Sequence, residues 1–285
     1  MAVNIVLVHS GMVFPCHIND CISLLTRQNI DVHLILEKNL HDCVKNKNIH
    51  ITSIEDVSDI RYNNYDIINY DTKFRDAFYL RTSSRFIIID NYARLIGLSN
   101  FFHIENDVAL FSDHSNIQNY LYLSTYDTCL LMDNYWRCVP SIIWYKNTTA
   151  SNRLSNFIYQ NNNADDMQNL ARYFHQYRNY VTNFPITPFD LLDSQYNINY
   201  GNMYKDTLSI FDGAAIGQYL YGIDNNNIIQ NINTQTKGFV NETCVFDVSK
   251  YHFTLDNGKP VWHYKNNIIP INNLHIHSKN FTELL

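Results

Sequence analysis

The first forty residues constrain this chain more than any other stretch. Residues 4–8 (Asn-Ile-Val-Leu-Val) form a short unbroken apolar run, the pattern of a strand buried on both faces of a parallel sheet. After His9-Ser10-Gly11, Pro15 is placed to open a helix, and Ile18, Cys21, Ile22 and Leu25 recur at helical spacing. Asn29 is expected to end that helix, and Val32-His33-Leu34-Ile35-Leu36 reads as a second strand. A strand–helix–strand start commits the chain to the α/β class.

The remainder keeps the alternation. A helical stretch is expected around 39–46 and a third strand at 49–51, followed by a polar, Tyr- and Asp-rich loop over 60–79 whose tyrosines can line a ligand pocket. Thr82 or Ser83 can cap a helix with an inner face of Phe86, Ile89, Ala93 and Leu95 or Ile96, closed by Gly97. Strands are predicted at 101–104, 128–132 and 141–145, and helix from 151 to 182, closed by Pro185 and Pro188. A helix near Ala214–Tyr221, an Asn-rich surface loop at 224–234 and strands near 251–254 and 274–277 complete the pattern. No internal repeat appears. The 285 residues read as one α/β domain with an elaborated C-terminal half.

Composition excludes several classes. A net charge of -6 argues against a general nucleic-acid binder, because phosphate neutralisation needs many cations. No apolar run approaches the ~20 residues of a membrane span, and the N-terminus lacks a basic region and cleavage site. The six scattered cysteines show no CxxC pair, which suits reduced core thiols. A cytoplasmic protein is expected, in host cytoplasm or virion if the source is viral. The surplus of Asn and Tyr fits a biased genome that fills surface positions with both.

Four constellations carry chemistry. In Phe101-Phe102-His103-Ile104-Glu105-Asn106-Asp107, an apolar strand ends in two acids spaced i, i+2. In extended chain both carboxylates face one way. They would repel unless a cation sat between them, and a hard divalent metal that also holds a diphosphate meets that need. The bland reading is an acidic turn. In Asn273-Leu274-His275-Ile276-His277-Ser278-Lys279, the same spacing puts two imidazoles and an ammonium in one register, for metal and phosphate. Arg81 and Arg85 share a helix face and can reach a phosphate or sugar hydroxyl, or pair with Asp76 or Asp90. Asp212-Gly213-Ala214-Ala215 sets an acid before small residues that admit a ligand, or caps a helix.

The segment from Arg85 through Phe111 resembles the core of GT-A-type nucleotide-sugar glycosyltransferases, in which an Arg-bearing helix leads to a strand ending in the DxD motif. Glu105-Asn106-Asp107 stands as an ExD variant, and Leu274 to Lys279 is similar to the C-terminal strand that supplies a metal-binding His and a phosphate-binding Lys. The chain departs from that pattern in Glu105 and in having no Gly between His275 and Lys279, so His275 and His277 both stand as ligand candidates. The resemblance implies a single Rossmann-like GT-A domain with a mixed, mostly parallel sheet flanked by helices. Residues 1–111 would hold the nucleotide sugar, and 112–285 the acceptor and the metal-binding strand.

Under that resemblance Asp107, a His and Glu105, either as ligand or touching the sugar, hold Mn²⁺ or Mg²⁺ against the donor diphosphate. Arg81, Arg85, Asn106 and Lys279 face the diphosphate, and Val8, His9 and Ser10 line the base and ribose pocket. Asp212 is the candidate acceptor-side acid or general base. The implied activity is metal-dependent, hexosyl-type transfer from a nucleotide diphosphate sugar, UDP-sugar favoured, to a glycan or protein. The competing readings are a non-catalytic sugar-nucleotide-binding protein and a metal-dependent phosphoesterase.

Overall fold

A computed structural model describes residues 3–28, 30–71, 73–112, 114–224 and 244–285. The expected helix end at Asn29 and nearly all of the Asn-rich 224–234 stretch lie outside the described residues. The opening β-α-β unit is present as β1 (Asn4–His9), α1 (His17–Thr26) and β2 (Asp31–Leu36). The helical stretch expected around 39–46 is a 3-10 helix, Lys38–Cys43, which leads to β3 (His50–Ser53). Two short helices follow, α2 (Ile54–Val57) and α3 (Ile60–Asn64), so the 60–79 stretch is not all loop.

The long helix α4 (Phe78–Ile96) starts before Thr82, after Ala77 in the left-handed region and with no side-chain cap. Ser83 and Ser84 lie buried inside the helix instead of at its tip. Residues 83–93 are buried on every side because α4 lies between β1 and α6 (Thr148–Gln160). Its last turn leaves the core, and Leu95 and Ile96 are exposed. Asp90, fully buried, anchors the layer: it accepts from Arg61 Nη2 at 2.8 Å, Ser155 Oγ at 2.9 Å and Asn152 Nδ2 at 3.0 Å.

After α4 come β4 (Phe101–Ile104), β5 (Val108–Leu110), α5 (Ser115–Leu123), β6 (Thr128–Leu130) and the β7–β8 hairpin (Met132–Asn134 with Arg137–Cys138). β9 (Ile142–Tyr145) precedes α6, α7 (Asp166–Gln176) and β10 (Val181–Asn183), which divide the helical region expected over 151–182. The central sheet runs β10-β6-β9-β4-β1-β2-β3. Its pairings are parallel except those of β9, which is antiparallel to both β4 and β6. The link from β6 to β9 is taken up by the hairpin and is too short for the helical crossover a parallel return needs. The fold is α/β, with a mixed, mostly parallel central sheet flanked by helices.

The C-terminal part adds small sheets. β11 (Leu192–Asp193) pairs with β12 (Ile198–Asn199); α8 (Tyr204–Thr207) and α9 (Ala215–Tyr221) follow, and then the meander β13 (His252–Asp256), β14 (Lys259–Tyr264) and β15 (Asn267–Pro270). The meander closes over fully buried Trp262, which Phe246, Tyr251 and Phe253 surround. Last comes β16 (Asn273–His275), antiparallel to β5. Of the 21 tyrosines, Tyr65, Tyr92, Tyr145, Tyr173 and Tyr200 are buried and fill the core. Of the cysteines, Cys21, Cys129 and Cys138 are core thiols, whereas Cys16 and Cys43 are exposed. Among the described residues no helix is long and apolar enough to cross a membrane.

His103, in the middle of this sheet, has no exposed surface. Its Nδ1 donates to the Val6 carbonyl at 2.9 Å. Burial, and then the nearby Arg85 charge, push its pKa down to about 3. The folded form therefore excludes a proton that the unfolded chain takes up near pH 6.5, and its stability is lost as pH falls below that value. Denaturant titrations at pH 7 and pH 5 should show His103→Gln losing about 2 kcal/mol less than the parent over that interval. Equal losses in the two proteins would show that His103 is not held uncharged.

Candidate active site in the cleft at the sheet's switch point

Strand order places the cleft. From β1 the chain builds outward to β2 and β3, then returns to β4 on the other side of β1. The C-terminal ends of two parallel neighbours whose connections leave in opposite directions leave a crevice open to a ligand. Here those ends are His9-Ser10 and Glu105-Asn106-Asp107, the two stretches the sequence marks separately. A cleft of about 450 Å³ opens there, lined by Val8, His9, Ser10, Arg81, Arg85, Glu105, Asn106, Asp107 and Lys279 among others. A second lobe of about 240 Å³ shares Glu105, Asp107 and Lys279 and continues past Arg137, Asp166, Gln218, His275 and His277.

Glu105 and Asp107 do not lie in extended chain. The strand ends at Ile104, and a turn closed by the Val108 N–H on the Glu105 carbonyl at 3.2 Å carries them. Their approach comes from β16, which pairs His275 with Val108 while the Ile276 N–H donates to the Asp107 carbonyl at 2.7 Å. His275, 168 residues away in sequence, thus reaches Asp107 Oδ2 with Nε2 at 3.0 Å. Glu105, Asp107 and His275 offer one ligand atom each, all within 4.8 Å of one another.

The donor set fits a hard divalent ion. His275 Nδ1 donates to the Gly213 carbonyl at 2.9 Å, which turns Nε2 toward the Asp107 carboxylate, the usual outer-shell arrangement of a metal-binding imidazole. Two atoms at right angles around an ion, each about 2.1 Å from it, stand about 3.0 Å apart, the spacing of Nε2 and Asp107 Oδ2.

Beyond this trio the shared strand register ends. β16 stops at His275, so His277 and Lys279 do not continue its face. His277 Nδ1 instead accepts the Asp224 N–H at 3.1 Å, and burial followed by the His275 charge lowers its pKa to about 4. Lys279 still arrives at the site, because the chain turns back and its Nζ contacts Asp107 Oδ2. Burial brings the Lys279 pKa down to about 8, with Glu105 opposing and Arg75 adding to the drop.

Arg85 is engaged by neither Asp76 nor Asp90. It bridges Glu105 Oε1 and Asp166 Oδ2, both at 2.7 Å, and is buried. Burial opposes the charge on Glu105, but Arg85, His275 and Lys279 together hold its pKa below the usual carboxylate value. Asp166 moves the other way, to about 6, because burial and the Glu105 charge outweigh Arg85. Arg81 pairs with Asp76 at 2.7 Å and donates to the Ser10 carbonyl at 3.1 Å, which keeps it at the mouth of the larger lobe. Asn106 accepts from His17 Nε2 at 3.2 Å.

Asp212 takes the capping alternative. Its oxygens accept the backbone N–H groups of Ile216 and Gly217, both at 2.9 Å, and of His275 at 3.1 Å. With 2 % exposure it lines neither lobe, although the sequence offers it as the acceptor-side acid or general base. The small residues after it serve packing: a Cβ on Gly217 would stand 2.1 Å from the His275 carbonyl oxygen. The tyrosines of 62–79 do not line either lobe, and Phe78 does.

Asp166, Arg75, Asp224 and Phe78 are lining residues that sequence reasoning missed. A signal for Asp166 existed in the Asp165-Asp166 pair before a helical pattern. Asp165 caps α7 through the Gln168 N–H at 2.8 Å, which leaves Asp166 turned toward Arg85. Next to the smaller lobe, Tyr135 stacks on Tyr196 beside the 70 % exposed Trp136, over a hollow that shares Arg137 and Met167 with the lobe.

No family model matches the chain, and no curated protein matches it. Among solved structures it is similar to a putative glucose-1-phosphate thymidylyltransferase from Bacillus anthracis, at 11% identity and TM-score 0.42 over 65% of this chain and 87% of that one. It is also similar to a glycosyltransferase involved in glycosylation of the major capsid of PBCV-1, at 8% identity and TM-score 0.38 over 64% and 81%. A third is a cytidylyltransferase from Leptospira borgpetersenii, at 10% identity and TM-score 0.40 over 73% and 84%. At these values the likenesses assign no activity to the chain.

Proposed function

We propose that the chain is a metal-dependent glycosyltransferase that moves a sugar from a nucleotide diphosphate, UDP-sugar favoured, to a glycan or protein hydroxyl. The observation that carries this reading is the convergence of Glu105, Asp107 and His275, with Lys279 beside them, on a cleft at the switch point of a mostly parallel sheet. Val8, His9 and Ser10 line the nucleotide end of that cleft, and Arg81 stands at its mouth. Glu105, Asp107 and His275 would hold Mn²⁺ or Mg²⁺, which when bound neutralises charge on the departing diphosphate.

In the transfer, the donor C1–O bond breaks with its electron pair going to the diphosphate oxygen, and the acceptor oxygen bonds to C1. Lys279 gives a fixed cation where the diphosphate charge grows. Arg85 stays on Glu105 and Asp166 and sets their places. Asp166, in the smaller lobe with a pKa near 6, takes the acceptor hydroxyl proton in place of Asp212. The Tyr135–Trp136–Tyr196 shelf favours a sugar ring as acceptor, because flat aromatic faces pack on apolar ring faces.

Incubation with a panel of UDP- and GDP-sugars and Mn²⁺ should give slow, metal-dependent release of the nucleotide diphosphate. No metal-dependent release with any donor would favour the non-catalytic or phosphoesterase reading.

A further inference from the structure

A second cluster lies at the opposite edge of the sheet. Asp31 and His33 are two apart on β2 and so project from the same face, and His50, at the start of β3, stands in register beside His33. This is the N-terminal edge of the parallel strands. Asn4, at the matching end of β1, is five residues from His9, about 16 Å along the strand from the cleft.

We propose that Asp31, His33 and His50 form a separate transition-metal site that takes Zn²⁺ and ties β2 to the edge strand β3. Their ligand atoms lie within 4.8 Å of one another. The Asp31 carboxylate reaches both imidazoles, with Oδ1 at 3.0 Å from His50 Nε2 and Oδ2 at 3.9 Å from His33 Nε2. Tetrahedral ligands at 2.0–2.1 Å from Zn²⁺ stand about 3.4 Å apart, close to the 3.0 Å between Asp31 Oδ1 and His50 Nε2.

The outer shell is in place as well. Buried Tyr92 sets its hydroxyl 2.8 Å from His33 Nδ1 and can accept the proton there, which leaves Nε2 for the ion. Asn4 Oδ1, 3.3 Å from the same Nε2, is positioned as a fourth donor. The His33 and His50 rings are stacked with centroids 4.5 Å apart, and the His50 side chain is exposed. Two imidazoles and one carboxylate suit Zn²⁺ better than Mg²⁺, in contrast to the oxygen-rich set in the cleft. This site does not depend on the glycosyltransferase reading.

Equilibrium dialysis of the full chain carrying Asp107→Asn and His275→Ala, which removes two of the three cleft donors, should find one Zn²⁺ per chain at micromolar free ion. Adding His50→Ala, a change at an exposed side chain, should weaken binding at least tenfold, and Tyr92→Phe by about tenfold. Zn²⁺ should raise the melting temperature of that same cleft-disabled chain, but not that of its His50→Ala form. Co²⁺ in the site should give a tetrahedral visible spectrum without a sulfur charge-transfer band. Equal Zn²⁺ binding with and without His50, no bound Zn²⁺, or a sulfur band that places the ion on Cys16 or Cys43, would each overturn the proposal.

Discussion

Asp107→Asn should lower metal-stimulated donor hydrolysis by at least about a thousandfold, at the upper end of what loss of one strong transition-state-stabilising group costs. Asn keeps the shape but gives up the charge that faces both His275 Nε2 and Lys279 Nζ. The same substitution should remove the rise in melting temperature that UDP and Mn²⁺ give the parent. The two measurements separate the roles: lost hydrolysis with a retained UDP–Mn²⁺ shift would mean that Asp107 acts in chemistry without holding the ion. An unchanged rate would remove Asp107 from the site altogether.

Gly217→Ala should destabilise the fold markedly, at a residue that lines neither lobe of the cleft. The new methyl would meet the His275 carbonyl oxygen at 2.1 Å and Asp212 Oδ2 at 2.9 Å. Backbone cannot yield as a side-chain tip can, so α9 and β16 must separate. Overpacking of this kind costs about 1–3 kcal/mol. At about 2–4 °C per kcal/mol for a chain of this size, the melting temperature should fall by several degrees. Because β16 carries His275, Mn²⁺-dependent UDP binding should weaken in the same variant. A melting temperature equal to the parent's would show that the close approach is relieved by a small local shift.

These two residues show where sequence reading succeeds and where it stops. Asp107 is legible because an apolar strand running into two acids is a local pattern, and a buried like-charge pair is costly without a cation. Gly217 is visible only as one small residue among several. The reason for it is a carbonyl that lies 58 positions later in the chain and a few ångströms away in space. Arg85 shows the same limit. Its place on a helix face was readable, but its partners Glu105 and Asp166 come from β4's end and α7's start, and no spacing rule links those. Asp166 had a cap-like signal, yet nothing local could say that burial beside Glu105 would raise its pKa.

The sequence by itself determined the α/β class, the first β-α-β unit, and the strand ends that hold His9, Glu105 and Asp107, because helical and strand periodicities and buried apolar runs are properties of neighbouring residues. Tertiary structure alone decided that β9 runs antiparallel, that Asp212 serves as a cap, that β16 ends at His275 and leaves His277 off its face, and that α7 brings Asp166 to Arg85. Those outcomes depend on which distant segments pack together, and packing is settled by shape and burial over the whole chain, not by the order of a few residues.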